Sequence, residues 1–388
     1  MKIALVHDYL KEYGGAELVL ETLSDIFPQA QIFTTLYCPQ FFGPHRPRLE
    51  AKWSHRIHQS FFAYLPLASK LISPLRLLSP LAFRLMNFKN FDLIITSATG
   101  AYFPNALNKN QARLFCYCHT PPRYLYGLPT ARHFSRHSPI TFLANLFNRF
   151  LRRLDCRFAQ NVDQFIANSR TVAARIKKFY HRSALVIYPP VDISATIHEL
   201  SSINRKPYYL TGGRLAWAKR YDIALRACQH LNLPLKIFGR DFAHLESQLK
   251  KIAILSAPSS AKAKPTLEFL GEITQEEKIK LYSQAKAFIF CSDNEDFGIV
   301  SVEAMAAGCP VIAYRSGGIT ETVLDGKTGV LFDHLTPESC AAAIQKLNIL
   351  QINPKDCLAN AQKFSRGVFV KKIKTLVSTY LPHVSLSL

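Results

Sequence analysis

Two carboxylates eight positions apart, Glu295 and Glu303, bracket Gly298 in the run Ser292-Asp-Asn-Glu-Asp-Phe-Gly-Ile-Val-Ser-Val-Glu-Ala-Met-Ala-Ala-Gly308. The run follows a short apolar stretch that reads as a strand, carries glycine at the turn, and then enters a helix expected over Val300–Ala307. A helix start offers unpaired backbone N–H groups and the positive end of the helix dipole, which suits a diphosphate. Glu303 stands among Ile299, Val300, Val302, Ala304 and Met305. A carboxylate in such surroundings needs polar partners, and sugar hydroxyls qualify. The plainer alternative is that both acids are solvated surface groups.

The elements that must position these residues come in two series. Short apolar runs rich in branched residues, as buried parallel strands are, fall at Ile3–His7, Ile32–Thr35, Leu93–Ser97, Arg113–Cys118, Gln164–Ala167 and Leu185–Ile187. A second series falls at Tyr208–Gly212, Leu235–Phe238, Leu267–Leu270, Ala287–Cys291 and Pro310–Ala313, with helices at Tyr221–Leu231 and Gln275–Ala285. Tyr188-Pro-Pro-Val-Asp192 punctuates the two. The 388 residues thus predict an α/β protein of two Rossmann-like, doubly wound domains facing each other across a cleft. The expected units are residues 1–190, 191–363, and a C-terminal helix in 364–388 that crosses back to the first.

Glu295 to Glu303 matches the E-x7-E signature of glycosyltransferase family 4, and the chain resembles that family over essentially its full length. The resemblance implies the GT-B fold and transfer of a sugar from a nucleotide diphosphate sugar with retention. It implies that Glu295 contacts the donor sugar's hydroxyls, that Glu303 contacts the ribose, and that backbone N–H groups around Phe297, Gly298, Ile299 and Val300 hold the diphosphate. Gly213-Arg214-…-Lys219 is similar to the family's G-R-x4-K motif, in which both cations bind the diphosphate. The physical reason is that the leaving group gains negative charge as the glycosidic bond breaks, and fixed cations stabilise it as a metal would. Arg220 stands where the family usually has glycine. Two exposed basic residues on a loop are the bland alternative.

In the first domain, Gly14-Gly15 opens a helix after the first strand. Glycines there let the backbone approach a phosphate, although a plain turn explains them equally well. His119 ends a strand, where open α/β sheets present their sites. The resemblance places such a histidine near the donor sugar. Gly239-Arg-Asp241 and Phe269-Leu-Gly-Glu272 resemble loops that hold the base, without telling guanine from uracil. No isolated D-x-D motif stands in the place metal-dependent transferases use, so no cofactor and no catalytic metal is expected. The family implies same-face attack, the departing phosphate accepting the acceptor's proton.

The opening Val6-His-Asp-Tyr-Leu10 and Tyr117-Cys-His-Thr-Pro-Pro122 look like a subgroup of bacterial transferases, implying GDP-mannose as donor and a polysaccharide or polyprenyl-diphosphate-linked glycan as acceptor. A UDP-sugar donor and a sugar-nucleotide epimerase are the alternatives. Lys and Arg number 48 against 27 Asp and Glu, a net charge of +21, and Asp92 is the only acid between Ala51 and Leu154. So one-signed a stretch favours an anionic partner. Leucines and aromatics from Phe61 to Phe83 interleave with Lys70, Arg76 and Arg84, and Phe142–Phe158 carries four arginines. Such segments suit an anionic membrane surface, or else pack as ordinary helices on the sheet. A nucleic-acid-binding role is disfavoured because no recognised module is present, and a NAD-dependent dehydrogenase because no G-x-G-x-x-G follows the first strand. The N-terminus turns polar too soon for a secretory signal, and nine scattered cysteines read as free thiols. These features predict a cytoplasmic protein, peripheral on the inner membrane.

Overall fold

A computed structural model describes residues 1–130, 139–193, 205–241, 244–255 and 267–381; for 139–146 only the helical backbone is described. The chain divides into two compact units. The first holds Met1–Leu128, residues 139–190 and the helix Arg366–Tyr380, and the second holds Val191–Ser365.

The first unit is a seven-stranded, all-parallel sheet in the order β3-β2-β1-β4-β5-β6-β7. Its strands are β1 (Ile3–His7), β2 (Gln31–Thr34), β3 (Ile57–Gln59), β4 (Leu93–Ala98), β5 (Arg113–Cys118), β6 (Gln164–Ala167) and β7 (Ala184–Val186). Every residue of β1 and β4 is buried. Helices cover both faces, so these strands carry continuous apolar runs rather than alternation. Leu5, Ile95 and Phe115 pack on one side with the helix Gly15–Ile26 and with Phe369, Ile373 and Val377 of the C-terminal helix. Ala4, Ile94, Cys116 and Cys118 pack on the other. Tyr380 Oη donates to Gln164 Oε1 at 2.5 Å, and Arg366 pairs with Asp25, which tie both ends of that helix to this unit.

The second unit has a six-stranded parallel sheet in the order β10-β9-β8-β11-β12-β13. Its strands are β8 (Tyr209–Gly212), β9 (Leu235–Phe238), β10 (Leu267–Gly271), β11 (Ala287–Phe290), β12 (Val311–Tyr314) and β13 (Gly329–Phe332). Two strands lie outside the expected set. β3 is a three-residue edge strand, Ile-His-Gln, whose two polar residues are exposed, so it has no apolar run to read. β13 opens on Gly329, where a Cβ would lie 1.9 Å from Val311 O. Only glycine allows that close approach, and it breaks the β-branched pattern.

The chain is therefore α/β with two doubly wound parallel sheets. In each, the strand order reverses between neighbours: at β1/β4 in the first unit and at β8/β11 in the second. Ligands of open α/β sheets bind beyond the carboxyl ends of the strands at such points.

Candidate functional site

In the second unit, the loops after β8 and β11 flank the reversal point. Gly213 N donates to Phe238 O at 3.1 Å and Gly239 N to Gly271 O at 2.7 Å, which ties the ends of β8, β9 and β10 together. Gly239 has φ +127°, and a Cβ there would lie 1.7 Å from Gly213 O. It is a packing glycine of these crossing loops.

Lys219 reaches across to the β11 loop. Its Nζ lies 2.5 Å from Glu295 Oε2, which also accepts from Ser292 Oγ at 2.6 Å. Arg220 takes the left-handed conformation, φ +50° and ψ +46°, that a glycine would adopt freely. Its guanidinium binds both carboxylate oxygens of Asp222 at 2.9 Å, which helps offset the strain of about 1–2 kcal/mol. The turn geometry that a glycine would supply is thus kept, and Lys219 is delivered to the site. Arg214 is exposed on the same loop, and its carbonyl accepts from Tyr221 Oη at 3.2 Å. Burial first, then the neighbouring Glu295 charge, raises the Tyr221 pKa, against the Arg214 charge nearby.

Glu295 is fixed by the loop after β12. Gly318 N donates to Glu295 O at 2.8 Å, and a Cβ on Gly317 would sit 2.2 Å from that same oxygen. Three residues on, Gly298 has φ +85° and begins the helix Ile299–Ala306. No side chain caps that helix; Ser301 N donates to Gly298 O at 3.0 Å, and the N–H groups of Ile299 and Val300 lie ahead of the intrahelical ladder. A Cβ at Gly213 would lie 3.6 Å from Val300 Cγ1, which places the helix start beside the β8 loop. The Phe297 ring is buried against Phe364, which closes its side chain to a ligand. Glu303 Oε1 accepts from Lys278 Nζ at 2.9 Å; its buried Oε2 makes no hydrogen bond of good geometry, and the nearby Tyr282 hydroxyl has its pKa raised by burial first and then by the Glu303 charge.

The structure therefore brings Lys219, Glu295, Gly298 and the β8 loop with Arg214 together in one unit, and sets Glu303 one to two turns deeper. Lys278, Ser292, Gly317 and Gly318 also build this site. Sequence reasoning missed Lys278, Gly317 and Gly318 because their contacts run between separate loops and helices, and Ser292 because a serine three residues before a glutamate carries no distinctive signal.

In the first unit, Gly14 precedes the helix with φ −146°, ordinary extended backbone, and Gly15 is its first residue. Glu17 Oε2 accepts from Gly14 N at 2.9 Å, and its Oε1 lies 3.4 Å from the buried His7 Nε2. His119 follows β5, its Nε2 2.9 Å from Ser97 Oγ at the end of β4. Burial, helped by His7, pushes its pKa down to about 3, so the imidazole is neutral at ordinary pH. Asp8 is buried; its Oδ2 accepts from Thr99 Oγ1 at 2.5 Å and from Tyr102 N at 3.1 Å, holding the loop after β4. Burial raises its pKa. His7, Glu17, Ser97 and His119 thus converge at the β1/β4 reversal point.

Comparison with known proteins bears on the chain as a whole. A family model described as "Glycosyl transferases group 1" matches residues 193–364, and one described as "Glycosyltransferase Family 4" matches residues 13–195. The chain is similar to the α-1,3/1,6-mannosyltransferase alg2 of Schizosaccharomyces pombe, 25% identical over 384 residues, with 85% of this chain and 70% of the relative covered. It is 40% identical over 246 residues to a D-inositol 3-phosphate glycosyltransferase of Corynebacterium urealyticum, covering 54% of this chain and 57% of that one. Among solved structures, Anabaena Alr3699/HepE in complex with UDP-glucose superposes with a TM-score of 0.70 at 20% identity, over 98% of this chain and 100% of that one.

Proposed function

Because this chain belongs to glycosyltransferase family 4, a GT-B glycosyltransferase, we propose that it transfers mannose from GDP-mannose, with retention, to a polysaccharide or polyprenyl-diphosphate-linked acceptor, without a bound metal. The observation that carries this reading is the Lys219–Glu295 contact beside the uncapped helix start at Gly298. The free site neutralises its own carboxylate. An arriving diphosphate competes for Lys219, with Arg214 and the N–H groups of Ile299 and Val300 as further donors. Glu295, released from the lysine, then accepts from hydroxyls of the sugar. The buried Glu303 Oε2 suits a ribose hydroxyl.

Charge builds on the diphosphate as the glycosidic bond stretches, and these preorganised cations and dipoles stabilise it. The departing phosphate oxygen accepts the proton of the attacking hydroxyl on the same face of the sugar. His119, neutral at ordinary pH, can serve as a hydrogen-bonding group rather than as a cation. The preference for mannose rests on the alg2 relative. A UDP-sugar donor is the second reading, favoured by the UDP-glucose complex of the structural neighbour. No helix among the described residues is long and apolar enough to cross a membrane. We place the enzyme at the cytoplasmic face of the inner membrane, as a peripheral protein.

A thermal-shift screen against GDP-, UDP-, ADP- and TDP-sugars tests the donor, since a ligand at a hundred times its Kd stabilises by about 2.7 kcal/mol. GDP-mannose should give the largest shift, and transfer should persist in EDTA. A larger shift with a UDP-sugar selects the second reading, and strict dependence on Mg²⁺ overturns the metal-free mechanism.

A further inference from the structure

In the first unit, residues 61–85 split their apolar side chains between two directions. Phe62, Ala68, Leu75, Ala82 and Phe83 enter the core beneath the sheet. The others face outward: Tyr64 is 88% exposed, Leu67 64% and Leu85 67%. From Ile72 to Arg84 the chain runs through helical pieces whose junction residues stay in the right-handed helical region. Along this run Leu71, Pro74, Leu78, Leu81 and Leu85 recur at spacings of three and four, one continuous outward stripe.

Arg84 stacks over the Phe158 ring at 5.8 Å, which sets the helix Pro139–Gln160 alongside this run. That helix exposes Phe147 and Phe150, whose rings lie 6.2 Å apart. Ten of the seventeen large hydrophobic residues exposed among the described residues fall in these two segments. Single exposed leucines need no explanation, but a cluster of this size marks an interaction surface.

The charge around it identifies the partner. From Ala51 to Leu154 the sequence has fourteen Lys and Arg and one acid, Asp92. Lys70, Arg84, Lys89, Arg149, Arg152 and Arg153 are all exposed. Arg76 is already spent inside the fold, donating to Ala101 O at 2.9 Å and lying 4.0 Å over the Tyr124 ring. Exposed leucines and phenylalanines in segments rich in exposed cations, with Asp92 the one acid from Ala51 to Leu154, match a bilayer whose headgroups are anionic and whose acyl region starts just below. We propose that the outward stripe of residues 64–85, with Phe147, Phe150 and the arginines of the neighbouring helix, docks this unit onto an anionic lipid surface. The apolar side chains enter the headgroup–acyl boundary and the cations remain among the phosphates. The assignment does not depend on the donor reading.

Vesicle co-sedimentation of the full chain tests it, using phosphatidylcholine alone and phosphatidylcholine with about a third phosphatidylglycerol. Wild type should bind the mixed vesicles and leave the neutral ones largely free, and added salt should weaken binding without abolishing it. R149Q/R152Q/R153Q should bind on the order of a hundredfold more weakly, at about fivefold per charge. L78S/L81S/L85S should lose on the order of tenfold or more. Both variants should melt with the wild type, because the replaced side chains are exposed. No binding to mixed vesicles, equal binding to both kinds, or wild-type binding by both variants would overturn the proposal. So would a wild-type dimer that the leucine variant dissociates, which would assign the stripe to a second copy. Donor-induced stabilisation is read in the same samples; its failure with lipid binding intact refutes the donor site and leaves the docking face standing.

Discussion

Replacing Lys219 with methionine removes the cation that lies 2.5 Å from Glu295 and keeps most of the aliphatic stem. The two side chains are 26% and 13% exposed, between the surface and interior limits. Exposed pairs contribute about 0–1 kcal/mol, whereas breaking a buried pair costs about 3–5. K219M should therefore lose about 2 kcal/mol in urea unfolding, limited because Ser292 Oγ still donates to Glu295. E295Q leaves a lysine able to reach water and should lose about 1 kcal/mol. The double variant should be more stable than the sum of the two losses implies, with a coupling of about 0.5–2 kcal/mol. Transfer should behave differently. Each single variant should lose about 10²–10³ in kcat/KM, because the lysine acts on the diphosphate and the glutamate on the sugar. The double variant should regain stability without regaining rate. Zero coupling in stability, or wild-type turnover by K219M, would refute the proposed exchange of partners.

Three further outcomes follow from the same geometry. G317A places a Cβ 2.2 Å from Glu295 O at φ +67° and should cost about 3 kcal/mol or more, whereas G326A, at φ +76° with open space around it, should cost only the left-handed penalty of about 1–2 kcal/mol; urea midpoints distinguish them. R220G exchanges the Asp222 ion pair for relief of backbone strain, so stability should stay within about 1 kcal/mol of wild type and transfer should persist. Burial raises the Asp155 pKa from 3.8 to about 7, so the folded state holds a proton that the unfolded state releases, and wild-type stability is eroded as pH rises through that window. Tyr126 Oη can still donate to the amide oxygen of D155N, whose stability relative to wild type should climb between pH 4 and 7 by up to about 4 kcal/mol; a pH-independent difference contradicts the assignment. His119 works in the opposite direction below pH 6.5, and the comparison between variants cancels it.

The buried strands were legible because both faces of a parallel sheet are covered, which leaves runs such as Ile-Ala-Leu-Val and Leu-Ile-Ile in the chain. The strand–glycine–helix passage around Gly298 was legible for a local reason too: a left-handed turn and a helix start write themselves into adjacent residues. What stayed hidden is contact between distant segments. Lys278 meets Glu303 from another helix, and Gly317 earns its place only where the Glu295 backbone crosses it. The glycines at 14 and 15 read equally as a phosphate loop or a plain turn, and the Gly14 N–H donates to an inward-turned Glu17, a contact that the glycines themselves do not announce. Arg220 shows the limit of reading residue types, since an arginine takes the conformation that a glycine would normally supply and Asp222 holds it there.

A crystal structure with a nucleotide diphosphate sugar, grown in EDTA, reads the donor contacts themselves. Diphosphate oxygens should lie within about 3 Å of Lys219 Nζ and of the N–H groups at Ile299 or Val300, with Glu295 turned to the sugar and Glu303 Oε2 on the ribose. A diphosphate bound elsewhere, or Lys219 still locked on Glu295 with the donor present, would contradict the proposed donor site.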